Sequence, residues 1–72
     1  MLVATYSMPG FTTEQDARAI AEACKLAVAS FKEIPNSSKR LTVKTWSREN
    51  LNALTAALDY GPEEVRQGLQ FA

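Results

Sequence analysis

Two segments with helical patterns, each lying between two strand-like segments, constrain the fold of this chain more than any other feature. Residues 2–8 alternate apolar and polar side chains, which is typical of a strand with one buried face. Pro9-Gly10 ends this strand, and an alanine-rich segment without Gly or Pro predicts a helix from Glu14 to about Ala27. The first unit is therefore a strand followed by a helix.

The start of this helix carries capping residues. Thr12 precedes Gln15 by three residues and Thr13 precedes Asp16 by three, so either threonine could be the N-cap. One apolar stripe then follows the helix, at Ala17, Ile20, Cys24 and Ala27.

Residues 28–34 are ambiguous, because Val28, Phe31 and Ile34 have a spacing of three that a helix extension would also give. We favour a short strand at 30–34, since the polar turn at 35–38 is followed by a second strand-like run at 39–46 that needs a partner. The two runs predict a hairpin.

A second helix is predicted from about Arg48 to Asp59, with Ser47 as its N-cap. Gly61 is expected in the C′ position, with Pro62 just beyond it. Residues 63–71 then alternate as a last strand.

The predicted order is βαββαβ, an α+β, ferredoxin-like arrangement in which a four-stranded antiparallel sheet carries two helices on one face. One domain over residues 1–72 is expected from the length. The predicted core consists of Tyr6, Met8, Ile20, Cys24, Leu41, Val43, Leu51, Leu54, Leu58 and Val65.

Charge and composition limit the classes of function. The formal net charge is zero, so we expect no broad attraction to nucleic acid or to anionic membranes. No apolar run approaches the roughly 20 residues that span a bilayer, and no signal peptide is recognised, so we expect a cytoplasmic protein without membrane insertion.

Catalytic residues are not grouped in any familiar pattern. Histidine is absent, so the serines lack the usual activating base, and Cys24 is the only cysteine. We expect a protein that is not an enzyme, has no catalytic residues and has no disulfide.

The chain resembles the heavy-metal-associated domain, the family of small copper chaperones, mercury-binding proteins and soluble domains of metal-pumping ATPases. TYSMPGFTTEQDARAIAEA is similar to the opening of that family, KRLTVK to its third strand, and LNALTAALDYGPEEV to its second helix and the turn into the last strand. The resemblance implies the same fold, with a metal loop that is also a docking surface for partner domains.

The metal ligands of that family are missing here. Aligned on the Gly10 turn, the two cysteine positions are Thr13 and Asp16, and Phe11 stands where the family usually has Met. A hydroxyl and one carboxylate are hard and too few to hold copper(I) or zinc tightly. We therefore expect no metal cofactor, and helix capping as the role of Thr13 and Asp16. A weak ion site at the helix N-terminus is the alternative.

Two other groups could bind ligands. Met8 and Cys24 are weak alternative metal ligands, although both are expected in the core. A basic group near Trp46 could contact nucleic acid, but it lacks the aromatic-Gly-aromatic pattern of RNA-binding sheets, so we favour a solvated hairpin and expect no nucleic acid. This basic group is formed by Lys39, Arg40, Lys44 and Arg48.

The resulting hypothesis is a heavy-metal-associated-like adaptor that binds another protein or domain. Its partner surface would comprise Phe11, Thr13, Asp16 and Tyr60. The alternative is a metallochaperone or heavy-metal transport protein, for copper, zinc or mercury, that uses Met8 or Cys24. Pairing of edge strands would allow a weak homodimer, with a monomer as the other expected state.

Overall fold

The computed structural model describes residues 1–33 and 38–68. Its strands are β1 (Leu2–Met8), β2 (Ala27–Glu33), β3 (Lys39–Thr45) and β4 (Glu64–Gln67). Its helices are α1 (Glu14–Ala23) and α2 (Arg48–Leu58). The strands form one sheet in the order β2-β3-β1-β4. All three pairings are antiparallel. The predicted α+β fold with a four-stranded antiparallel sheet and two helices is confirmed at this level.

The core lies on the side of the sheet that holds the inward side chains of β1. Tyr6 is paired with Leu41, and Ala4 is paired with both Val43 and Val65. Both helices contribute to the same cluster, which also contains the strand residues just named except Val65. The helix residues in it are Ala17, Ala21, Leu51 and Leu54.

Helix α1 ends at Ala23, four residues before the predicted end. Lys25 has a positive φ of 63° and its N–H donates to the carbonyl of Glu22, while the N–H of Leu26 donates to the carbonyl of Ala21. These two bonds form a Schellman motif with Lys25 in the left-handed C′ position. The motif turns Leu26 into the core, although Leu26 is not among the predicted core residues.

Strand β2 begins at Ala27, so the helix-extension alternative for 28–34 is wrong. A register shift between Val28 and Ser30 marks a bulge. Because of this bulge, the side chains of Val28 and Phe31 both pack against the core. The three-residue spacing that resembled a helix is therefore produced by this bulge. Residue 34 and most of the predicted turn, 35–37, lie outside the described residues.

Helix α2 ends at Leu58, within one residue of the predicted end, but its cap differs from the prediction. Asp59 is the C-cap, with φ 68°, and its N–H donates to the carbonyl of Thr55. Gly61 does not have a positive φ, so its predicted C′ role is wrong. Aspartate tolerates the left-handed conformation better than most residues, which explains how it can end this helix.

Six of the ten predicted core residues are buried, three are partly buried and one is exposed. Tyr6, Met8, Leu41, Val43, Leu51 and Leu54 are buried, and Ile20, Cys24 and Leu58 pack partly buried against them. Val65 is 39% exposed, because it lies on the edge strand β4 and packs on β1 from one side only. The predicted strand 63–71 is observed as Glu64–Gln67, and residues 69–71 lie outside the described residues.

Candidate functional site

The loop between β1 and α1 is held by a turn and a helix cap. The N–H of Thr12 donates to the carbonyl of Pro9 at 3.0 Å, which closes a four-residue turn. Thr13 follows in an extended conformation, and its hydroxyl accepts from the N–H of Asp16 at 3.1 Å. Thr13 is therefore the N-cap of α1, and Thr12 is not.

The side chain of Phe11 projects from this turn into solvent, with 86% of its surface exposed. It forms one wall of an open pocket of about 360 Å³. The other walls belong to Thr12 and to one face of α1, and the full set is Phe11, Thr12, Asp16, Ala19 and Ile20. The structure thus brings the predicted residues Phe11 and Asp16 into one concave surface that is mainly apolar and has one carboxylate.

Lys39 fixes the loop from the opposite side. Its Nζ donates to the carbonyl of Thr12 at 2.7 Å and lies 6.0 Å from the centre of the Phe31 ring, and it is 3.9 Å from a carboxylate oxygen of Glu33. The prediction that Lys39 belongs to a basic surface group near Trp46 is wrong. Its side chain is largely buried against the end of the core, where it stabilises the position of the loop.

Tyr60 lies in the connection between α2 and β4. Because β1 and α2 both end at the same edge of the molecule, this connection and the Phe11 loop share that end. Tyr60 is 36% exposed, and partial burial raises the pKa of its phenol. It does not line the Phe11 pocket, so it is a neighbouring rather than a lining residue.

Thr13 and Asp16, at the positions that the resemblance aligns with metal-binding cysteines, make a poor metal site. The hydroxyl of Thr13 already accepts the Asp16 N–H, and the nearby Glu14 is held by Arg18 at 2.8 Å. One hard carboxylate and one occupied hydroxyl do not fit a soft metal. Residues 1–33 and 38–68 contain no group of three or more His, Cys, Asp or Glu side chains arranged to hold a metal ion.

The two weaker candidate ligands are far apart. Met8 is 2% exposed within the core, close to the loop. Cys24 is partly buried at the C-cap of α1. The ten-residue helix separates it from the loop by about 15 Å. The structure therefore does not bring Met8 and Cys24 together.

The basic group predicted near Trp46 is divided by the fold. Arg40 and Lys44 point to the sheet face opposite the core, and Arg40 pairs with Glu63 at 3.0 Å. Arg48 begins α2. Trp46 is 73% exposed directly after β3.

Comparisons with known proteins find no match for this chain. No family model matches the chain, and neither a curated protein nor a solved structure matches it. Among the described residues, no helix has the length and apolar character needed to cross a membrane.

Proposed function

We propose that this chain is a non-enzymatic protein-interaction module, a heavy-metal-associated-like domain in which Thr13 and Asp16 occupy the positions of the metal-binding cysteines. The proposal includes the ferredoxin-like arrangement with both helices on one face. The strand order β2-β3-β1-β4 and the core shared by α1 and α2 support it.

The observation that carries the proposal is the exposure of Phe11 at the rim of a pocket. A phenylalanine with 86% of its surface in water buries little area in the core, whereas aromatic anchors beside a concave surface are typical of binding sites. The partner would insert an apolar side chain between Phe11 and Ile20. The Asp16 carboxylate at the same pocket favours a partner with a positive charge next to that side chain.

Local rigidity makes this surface suitable for docking. The turn, the Thr13 cap and the bond from Lys39 to the Thr12 carbonyl fix the backbone on both sides of Phe11. An anchor on a rigid backbone loses less entropy on binding. Tyr60 at the same end extends the surface, so Phe11, Thr13, Asp16 and Tyr60 together define the proposed partner surface.

A double substitution tests whether the backbone of the loop can hold two thiolates in the geometry of a soft-metal site. Thr13→Cys with Asp16→Cys places two thiols at the spacing of the family motif, and we expect this variant to bind copper(I) or zinc stoichiometrically under reducing conditions. The unchanged protein should bind neither tightly. The control is Gln15→Cys with Arg18→Cys, which has the same spacing but lies within the helix.

Equal binding by both double variants would remove the support for a metal-loop frame. Tight binding by the unchanged protein would contradict the proposed loss of the metal site and would favour the metallochaperone alternative. Both pairs of substitutions lie at exposed positions, but the first pair removes the Thr13 cap of α1. Circular dichroism of each variant therefore checks that the fold is retained.

The docking role has a separate test. Phe11→Ala and Asp16→Lys should each abolish the capture of one specific protein from an extract of cells that naturally express this chain. Trp46→Ala removes an exposed aromatic side chain that follows β3 at the opposite end of the sheet from Phe11, and it should leave that capture unchanged. If all three variants capture the same proteins, the Phe11 surface is not the partner surface.

A further inference from the structure

The net charge of the chain is zero, but its salt bridges are unevenly distributed. The three salt bridges among the described residues lie toward the end that holds the Phe11 loop, and they pair Arg18, Lys39 and Arg40 with glutamates. The opposite end, where β3 leads into α2, carries Lys25, Lys44, Arg48 and Arg66 together with the carboxylates of Glu22 and Glu49. None of these four basic side chains forms a salt bridge with another residue in the described part of the chain.

Two of these basic residues flank the same position on the sheet. Val3 is paired with Lys44 on one side and with Arg66 on the other, so all three side chains share the face opposite the core. Neighbouring strands lie about 4.8 Å apart, which places the bases of the two cations about 9.6 Å from each other. Both side chains are exposed.

Trp46 completes this surface. It comes two residues after Lys44, directly after the end of β3. Its indole is 73% exposed. An exposed indole that closely follows one of two neighbouring cations in the chain offers stacking for a base and charge for a phosphate.

We propose that Trp46, Lys44 and Arg66 form a site for single-stranded nucleic acid, in which a base stacks on the indole and the two cations contact adjacent phosphates. This site lies at the opposite end from the Phe11 surface and does not depend on its function. It differs from the basic group considered in the sequence, because Lys39 is held at the other end of the sheet and Arg66 joins from β4.

The site is confined to one end of the sheet. Glu64 is paired with Thr5 in the next row of the same face, and Arg40 beyond it is neutralised by Glu63. A long phosphate backbone would meet these carboxylates, so a short stretch of one strand fits best. Nucleic acid is favoured over an acidic peptide because each of its units carries both a planar base and a phosphate, which match the indole and the cations.

Binding can be measured by the fluorescence anisotropy of a labelled oligothymidine or oligouridine. We expect binding that weakens as salt is raised. Trp46→Ala should weaken it at least ~5-fold, since each stacked base contributes about 1–3 kcal/mol, and Trp46→Phe should restore part of it. Lys44→Glu with Arg66→Glu should lower the slope of log affinity against log salt by about 0.7 for each lost contact.

The controls are substitutions of the same type elsewhere. Phe11→Ala removes an exposed aromatic at the other end, and Arg18→Glu reverses an exposed charge on α1, so neither should alter binding. The proposal is overturned if no salt-dependent anisotropy change occurs. It is also overturned if polyglutamate displaces the oligonucleotide at equal charge concentration, or if Phe11→Ala weakens binding as much as Trp46→Ala.

Discussion

Tyr6 combines a buried ring with a hydroxyl that forms hydrogen bonds. Its ring has no exposed surface, and its hydroxyl donates to the carbonyl of Leu51 at 3.2 Å. The hydroxyl of Thr55 lies 3.0 Å away and can donate in return. A strand in the centre of the sheet is thereby joined to α2 by a satisfied polar group rather than by apolar contact alone.

Removing the Tyr6 hydroxyl tests how much its hydrogen bonds to α2 contribute to stability, and how that contribution depends on pH. Burial raises the pKa of Tyr6 above its ordinary value of 10.0, so the unfolded chain releases the phenolic proton first. Stability from this group is therefore fully present below pH 10.0 and is lost as the pH rises through the folded pKa. We expect Tyr6→Phe to lower the unfolding free energy by about 1 kcal/mol at neutral pH and to flatten its alkaline decline.

Urea unfolding followed by circular dichroism on either side of pH 10.0 measures both effects. Tyr60→Phe is the matched control, because the pKa of Tyr60 is also raised by burial but its ring keeps contact with water. Its effect on the alkaline decline should be the smaller of the two. An alkaline decline in Tyr6→Phe as steep as that of the unchanged protein would refute this account.

At the scale of elements, the ends of helices were harder to predict than their starts. Thr13 and Ser47 begin α1 and α2 as N-caps because capping chemistry is local and depends on residue type. The ends depend on left-handed residues, and here these are Lys25 and Asp59 rather than glycines. Lysine does not signal a helix end, so the predicted α1 extends to Ala27, which is the first residue of β2.

The same limit applies to the candidate site. Phe11 and Asp16 could be placed at the loop because the turn and the cap follow from neighbouring residues. The bond between Lys39 and the carbonyl of Thr12 joins residues 27 positions apart, and only the pairing of β1 with β3 makes it possible. Local patterns contain no signal for such a contact, and Lys39 was accordingly assigned to the surface.

The left-handed Lys25 gives a prediction at this scale. An L-residue in this conformation is strained by roughly 1–2 kcal/mol, and glycine adopts it without a Cβ contact. Lys25→Gly should therefore raise the unfolding free energy by up to about 1 kcal/mol, measured by urea unfolding. Lys25→Ala removes the same charge but keeps a Cβ, so it should give no such gain. Equal stabilisation by both variants would assign the effect to charge.

At the scale of the whole molecule, the strands of the sheet differ in how many pairings and buried contacts hold them. Strands β1 and β3 are central, and each pairs on both sides. Strand β4 has only four residues, all exposed, and its pairing is with β1. Its far end is held where the N–H of Gly68 donates to the carbonyl of Met1 at 2.7 Å. Few buried contacts and an exposed ladder are the features of a segment that opens locally.

Amide hydrogen exchange should show this order of stability. We expect the amides between β4 and β1 to exchange faster than those between β1 and β3, because opening β4 exposes little of the core. Gly68→Ala should accelerate exchange in β4 further, since a methyl group at Gly68 would lie 2.8 Å from Cγ2 of Val3. Gly61→Ala is the matched control, because a methyl group there meets nothing within 4 Å. If β4 exchanges as slowly as β3, the two strands unfold together and the sheet opens as one unit.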